Sequence, residues 1–270
     1  GFDLAWHLSN SVNDTAVADL DGDGKAEIIH LRSSGEPNVS NRGIFIYSHD
    51  GQLKRHIPLP TYWFTPLTIA DVDGDGRSDI VLGADGTVFA FRDDGRPIWA
   101  YKAPPDVPDN PVFAPFYAQP AQSSQVGNAA PQVYDLDGDG VAEVIFAAYS
   151  RIVILNGRTG LRKVDPYWTY NFSYNDIGAL MLIDMNNDGR VDIVQNASFV
   201  FNCGFVGANF AAECANLVGP TVLKGGGSNN WLPGPKTFPH VQYRSTAIDA
   251  NARVLHDTTV SRIFRVPEQQ

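Results

Sequence analysis

One nine-residue segment recurs four times in the 270-residue chain and constrains its fold more than any other feature. The copies are DLDGDGKAE at 19–27, DVDGDGRSD at 71–79, DLDGDGVAE at 135–143 and DMNNDGRVD at 184–192. Each copy follows a short apolar stretch and precedes a β-branched run such as Ile28-Ile29. β-Branched residues favour strands, so each copy predicts a strand, an acidic loop and a second strand. Their first aspartates are 52, 64 and 49 residues apart, which indicates a repeat architecture with insertions of variable length.

A second hairpin follows three of the loops. The segments are IFIYSHDGQLKRHI around Asp50-Gly51, VFAFRDDGRPIWAY around Asp94-Gly95, and IVILNGRTGLRKV around Thr159-Gly160. Alternating apolar residues on either side of a glycine turn predict tight antiparallel pairing. Each repeat then supplies about four short strands, which is typical of one blade of an all-β propeller.

The repeats divide the chain without an evident linker, so we predict one propeller domain over 1–270. The predicted repeats lie near 14–60, 61–130, 131–178 and 179–202, and 203–270 is a degenerate fifth repeat or closing segment. About five blades would close the ring if the two ends share a blade. The alternatives are a part of a larger propeller, or an open sheet that a neighbouring subunit completes.

The acidic loops predict up to four calcium sites. Acids at positions 1, 3, 5 and 9 crowd hard oxygen donors around one point, as Ca²⁺ prefers, and the glycines allow the tight turn. An EF-hand is excluded because it needs an acid at position 12, where this chain has His30, Leu82, Phe146 and Gln195. The predicted ligands, including the carbonyl of position 7, are Asp19, Asp21, Asp23, Lys25 and Glu27; Asp71, Asp73, Asp75, Arg77 and Asp79; Asp135, Asp137, Asp139, Val141 and Glu143; and Asp184, Asn186, Asp188, Arg190 and Asp192.

Charge supports this interpretation. The four loops hold half of the 30 acidic residues in a chain of formal net charge -10, so like charges are concentrated where strands must approach. Solvated turns explain a single Asp-Gly-Asp-Gly copy, but explain four copies less well. We expect the fourth loop to bind most weakly, because Asn186 replaces an aspartate there.

Other features limit the function. The acidic balance argues against nucleic acid as a partner, and no apolar run is long enough for a transmembrane segment. No zinc-protease, nucleophile-elbow or phosphate-loop motif occurs, so no catalytic residue is predicted. Cys203 and Cys214 fit either a local disulfide, which would imply an oxidising compartment, or two free thiols. The possible glycosylation sites are Asn13, Asn38, Asn171 and Asn196.

The nonamers and their flanking strands, over about 14–200, resemble the FG-GAP/VCBS repeats of integrin-α-like β-propellers. That resemblance implies structural calcium sites at blade loops. The hairpins also look like PQQ-type propeller strands. More loosely, the segment 231–254 is similar to one that follows such repeats in secreted bacterial surface proteins, which implies an extracellular location.

The resulting hypothesis is a non-enzymatic, calcium-stabilised extracellular module for adhesion, surface assembly or filament building. Its partners would be a second copy, through edge strands, or a glycan or surface protein. A carbohydrate-binding lectin and a polysaccharide lyase remain alternatives, because similar propellers host both and fold alone does not choose. The five tryptophans, Trp99 among them, fit either packing between blades or stacking on sugar rings.

Overall fold

The computed structural model describes residues 14–32, 42–59, 64–84, 86–102, 129–148, 151–164, 167–168, 180–197, 219–225 and 231. Over these stretches the protein is all β, with fifteen strands in four antiparallel sheets and no helix. The same stretches therefore contain no helix that could cross a membrane. This confirms the predicted strand-rich character of the chain.

Each sheet is built from strands that follow one another in the sequence. Sheet one contains β1 (Asp14–Ala18), β2 (Glu27–Arg32), β3 (Gly43–Tyr47) and β4 (Leu53–Pro58). Sheet two contains β5 (Thr68–Ala70), β6 (Asp79–Ala84), β7 (Thr87–Phe91) and β8 (Pro97–Lys102). Sheet three contains β9 (Gln132–Tyr134), β10 (Glu143–Ala148), β11 (Arg151–Asn156) and β12 (Tyr167–Trp168). Sheet four contains β13 (Leu180–Ile183), β14 (Asp192–Ala197) and β15 (Gly219–Lys224) among the described residues.

The predicted glycine turns connect the third and fourth strands of the first three sheets. Gly51, Gly95 and Gly160 have φ of 85°, 81° and 67°. A residue with a Cβ is strained at such angles, whereas glycine is not. In sheet one the Gly51 N–H donates to the carbonyl of Ser48 at 2.9 Å and closes the turn. The hairpins predicted from alternating apolar residues are confirmed.

The sheets pack face to face in sequence order. Three apolar clusters fill the spaces between sheets one and two, two and three, and three and four. Side chains alternate along a strand, so each inner sheet contributes to two clusters. In β6, Ile80 and Leu82 face sheet one, whereas Val81 faces sheet three.

The first strands of the sheets lie beside one another. β1 contacts β5, β5 contacts β9, and β9 contacts β13. Asp14 Oδ2 accepts the N–H of Leu67 at 2.7 Å, and Thr68 Oγ1 donates to the carbonyl of Pro131 at 2.5 Å. The acidic loops that follow these strands are thereby drawn to neighbouring positions.

A close contact around Trp99 also joins sheets two and three. Its Nε1 donates to the carbonyl of Gly157 at 2.5 Å, and a Cβ on Gly160 would lie 2.7 Å from the indole ring. A Cβ on Gly157 would come within 2.2 Å of the Val72 carbonyl oxygen, so both positions require glycine. Trp99 is only 8% exposed, so it packs between the sheets and is not available to stack on a sugar.

Sheets one to three lie within the predicted repeats 14–60, 61–130 and 131–178. Sheet four extends beyond 179–202, because β15 comes from the stretch 203–270 that was predicted as a closing segment. Asn196 lies in β14. The predictions that fall outside the described residues concern Cys203, Cys214, Asn13, Asn38 and Asn171.

Candidate metal centres

The four acidic loops connect the first and second strands of their sheets. Loop one is 19–27, loop two is 71–79, loop three is 135–143 and loop four is 184–192. Loops two and three touch, since a Cβ on Gly74 would lie 2.7 Å from the carbonyl oxygen of Gly140. Arg158 Nε, from sheet three, donates to the carbonyl of Asp73 in loop two at 2.9 Å. Loops two and three therefore form one continuous acidic edge.

The first aspartate of each loop shapes the turn. In loop one, Asp19 Oδ1 accepts the N–H of Gly22 at 2.7 Å and Oδ2 accepts that of Gly24 at 2.9 Å. Loops two and three repeat both bonds. In loop one, Gly22 and Gly24 have φ of 78° and 86°. In loop four Asn187 has φ of 58°, which confirms that asparagine replaces the first glycine in a left-handed conformation.

The acid at position 9 is buried in every loop. One of its oxygens accepts the backbone N–H of position 2, which holds the carboxylate under the loop. The pairs are Leu20 to Glu27 at 2.9 Å, Val72 to Asp79 at 3.1 Å, Leu136 to Glu143 at 2.7 Å, and Met185 to Asp192 at 2.9 Å. The second oxygen of each acid is left to face another partner.

In three loops the acids at positions 1, 3 and 9 come together. Each residue offers a carboxylate oxygen, and the three oxygens lie within 4.8 Å of one another. The sets are Asp19, Asp21 and Glu27; Asp71, Asp73 and Asp79; and Asp135, Asp137 and Glu143. These clusters could hold a metal ion. The acids at position 5 and the residues at position 7 were predicted as additional ligands, and their role stays a prediction.

Loop four differs at position 3. Asn186 Nδ2 donates to Asp188 Oδ2 at 2.9 Å, so position 3 of this loop carries no negative charge and satisfies an oxygen of Asp188. Asp192 is 1% exposed, and its Oδ1 has no hydrogen-bond partner within the part of the chain that the structure describes. A buried carboxylate oxygen without a partner is costly, and a bound cation is one way to satisfy it.

Basic side chains contact loops one to three, and the sequence analysis missed them. They are Lys54, Arg92 and Lys163, each from a later part of the same sheet. Lys54 and Lys163 each stand three residues after a hairpin glycine, Gly51 and Gly160, so a shared spacing was the available signal. In sheet two, Arg92 instead stands three residues before the hairpin glycine, Gly95.

The guanidinium of Arg92 joins two acids of loop two. Its Nη2 lies 2.5 Å from Asp73 Oδ2, and its Nη1 binds Asp75 Oδ2. Both of its contacts are with positions 3 and 5, whereas the lysines of the other two sheets reach position 9. Asp79 is therefore buried in loop two without a direct contact from this cation.

Burial and these ion pairs change the acidity of the loops. Burial raises the pKa of Asp79 to about 7, and the neighbouring aspartates add to the rise. Burial also raises the pKa of Glu143, although its hydrogen bond from Lys163 opposes the change. On the exposed side of loop one, the hydrogen bond from Lys54 lowers the pKa of Asp21. The metal-free loops thus contain acids that resist ionisation.

The raised pKa of Asp79 predicts a pH effect. Its folded pKa of about 7 lies above the ordinary 3.8, so metal-free stability should fall as the pH rises between these values. The loss is on the order of 4 kcal/mol. Asp79→Asn should remove this loss, making the metal-free variant more stable than the wild type at pH 8 but not at pH 4. Urea unfolding of the wild type and of Asp79→Asn, in chelator at pH 4 and at pH 8, measures this difference in stability.

Asp50→Asn is the matched control, since Asp50 is exposed in a hairpin turn and loses the same charge. If Asp79→Asn and the wild type kept the same stability difference at both pH values, the folded pKa of Asp79 would be ordinary and the prediction wrong.

The chemistry of the loops fits a hard divalent cation. The clustered acids offer oxygen ligands, and one oxygen of each position-9 acid is already fixed. Asp192 also retains a buried oxygen that no described residue contacts by a hydrogen bond. Three loops already attract cationic side chains from the protein itself. The same oxygens would be available to an ion if those side chains moved aside.

Comparison with known proteins supports the recognition from sequence. Residues 135–194, which include loops three and four, match the FG-GAP-like repeat family. The chain is thus consistent with an FG-GAP/VCBS-type repeat protein, and the resemblance drawn from the nonamers is confirmed.

Among solved structures, the V. cholerae biofilm matrix protein Bap1 is similar, with a TM-score of 0.61 at 12% identity. The match covers 92% of this chain and 63% of Bap1, so the chain spans less than two thirds of that protein. BBS1N in complex with ARL6DN matches with a TM-score of 0.47 and 13% identity over 68% of this chain and 50% of that one. An Agrocybe aegerita lectin specific for non-reducing terminal N-acetylglucosamine matches with a TM-score of 0.42 and 20% identity, over 88% and 57%.

Proposed function

We propose that this chain is a non-enzymatic, extracellular β-propeller module that calcium stabilises and that has a structural or adhesive role. The observation that carries the proposal is the loop geometry repeated in four successive sheets. In each loop a buried acid is fixed beneath the turn, with its second oxygen left for another partner. Such a site joins two strands of a scaffold. The fold shared with a biofilm matrix protein supports an extracellular structural setting.

Calcium is the ion that we propose for the loops. It takes 6 to 8 oxygen ligands at about 2.3 to 2.6 Å in irregular geometry, which suits carboxylates at positions 1, 3, 5 and 9 and a carbonyl at position 7. Asn186 would supply an amide oxygen in loop four. The bound ion supplies positive charge to acids that otherwise repel one another. The backbone N–H groups keep these acids in place.

We further propose that the stack of sheets closes into a propeller of about five blades, or forms part of a larger one. The neighbouring first strands and the alternation of core faces support this arrangement. A strand added from a second copy gains main-chain hydrogen bonds at a sheet edge, so self-assembly through edge strands is part of the proposal.

The assembly state tests this proposal. Purified protein in calcium is analysed by size-exclusion chromatography with light scattering and by electron microscopy, and its retention on surfaces coated with matrix polysaccharide is measured. We expect oligomers, filaments or surface retention. A strictly monomeric particle that no surface retains would contradict the structural and adhesive role.

The two alternative functions are distinguished by further readouts of the same material. Selective, calcium-dependent binding to one sugar class on a glycan array would favour a lectin over a structural module. Ultraviolet absorbance from unsaturated products, released from acidic polysaccharides, would show a lyase and overturn the non-enzymatic proposal.

A further inference from the structure

Lysine side chains contact the acidic clusters of loops one and three, the clusters that we propose bind calcium. Lys54 Nζ lies 2.6 Å from Asp21 Oδ2 and 2.9 Å from Glu27 Oε1. Lys54 belongs to β4, far along the sequence from the loop that it contacts. It bridges the acids at positions 3 and 9, which are two members of the three-acid cluster.

Lys163 repeats this arrangement in sheet three. Its Nζ lies 2.7 Å from Asp137 Oδ2 and 2.6 Å from Glu143 Oε1, with Asp139 Oδ2 at 3.6 Å. Both lysines therefore join the acids at positions 3 and 9 of their own loop.

The lysines use the oxygen that an ion would need. In loops one and three, Oε2 of the position-9 glutamate is fixed by the N–H of position 2. The ammonium contacts Oε1, the remaining oxygen. Calcium requires its ligands at about 2.3 to 2.6 Å, and two cations on one carboxylate oxygen repel each other. The lysine and the ion are therefore alternative occupants.

Both lysine side chains are partly open to solvent. The side chain of Lys54 is 37% exposed and that of Lys163 is 27% exposed, so each has a path to solvent. The acids beneath them are 2% and 0% exposed and need a positive partner in either state. One cation can replace the other while the buried charge remains compensated.

We infer that Lys54 and Lys163 are built-in competitors of calcium that hold loops one and three in the metal-free protein and lower their affinity for the ion. This inference rests on the proposed calcium binding. It makes the lysines determinants of affinity in these two loops, and not additional ligands. It also explains how the metal-free protein tolerates the buried carboxylates of Glu27 and Glu143, since each is paired with a lysine.

The test compares Lys54→Met with Lys102→Met. Lys102 lies exposed at the end of β8 and loses the same charge, so it controls for long-range electrostatics. Calcium affinity is measured by competition with a chelator, and melting temperature is measured with and without calcium. For Lys54→Met we expect one site to bind about tenfold more tightly, as for the loss of one competing charge-assisted contact, and a lower melting temperature in chelator only.

The gain is assigned to loop one by Lys54→Met combined with Asp21→Asn, which should lose it. Equal affinities in Lys54→Met and Lys102→Met, or weaker binding in Lys54→Met, would overturn the inference while leaving calcium binding intact. If the wild type and every variant bound no calcium, the proposed metal sites and this inference would fail together. Should Lys54→Met not fold in chelator, the same comparison with Lys163→Met, where the gain belongs to loop three, decides the matter.

Discussion

Chelation with EDTA should lower the melting temperature of this protein, and added calcium should restore it. An ion that binds only the folded state contributes about 2.7 kcal/mol per site when its free concentration is a hundredfold above Kd. Four ions would change the formal net charge from -10 to about -2, which relieves repulsion between loops that touch. This is the largest effect that we expect, because every sheet contributes a loop.

Calorimetry of the calcium-loaded, chelated and recalcified protein measures the change, and elemental analysis counts the ions. Asp73→Ala should remove one ion, whereas Asp50→Ala, which removes an exposed turn acid, should remove none. Magnesium should restore less stability than calcium, because it requires nearly octahedral geometry. A melting temperature that ignores both chelator and calcium would refute the metal sites.

Trp99→Ala should destabilise the protein by about 3 to 5 kcal/mol, the usual cost of truncating a buried large aromatic residue. Trp99 packs with Val81, Val144 and other apolar residues between sheets two and three. Its Nε1 also donates to Gly157 across the same interface. The substitution would leave a cavity at the place where two sheets hold each other, and glycine backbone lines one side of it.

Trp99→Phe separates the two contributions. It retains most of the ring packing but loses the hydrogen bond, so its cost should be nearer 1 kcal/mol. Urea unfolding followed by circular dichroism, in saturating calcium, measures both variants. A loss below about 1 kcal/mol for Trp99→Ala would mean that the sheets do not depend on this contact, and equal losses for both variants would assign the effect to the hydrogen bond alone.

Local sequence patterns predicted the sheets because the information for them is local. β-Branched runs such as Ile28-Ile29 and alternating apolar residues indicate the strands, and a glycine at positive φ, such as Gly51, marks each hairpin turn. The loop turns were predictable for the same reason, down to Asn187 in the left-handed region. Such features depend on a few consecutive residues.

The basic partners of the loops were not predictable in the same way. Lys54 contacts Asp21 only because the register between β3 and β4 brings residues 33 positions apart together. Arg92 serves sheet two from a different place in its hairpin, so no single spacing describes all three cations. The raised pKa of Asp79 likewise follows from burial by neighbouring sheets, which no short motif specifies.

The hydrogen bond from the N–H of position 2 to the acid at position 9 holds each loop in shape whether or not position 3 carries a charge. Because this carboxylate also serves the backbone, loop four keeps its turn although asparagine stands at positions 3 and 4. Individual copies are therefore free to diverge in metal dependence while the architecture persists.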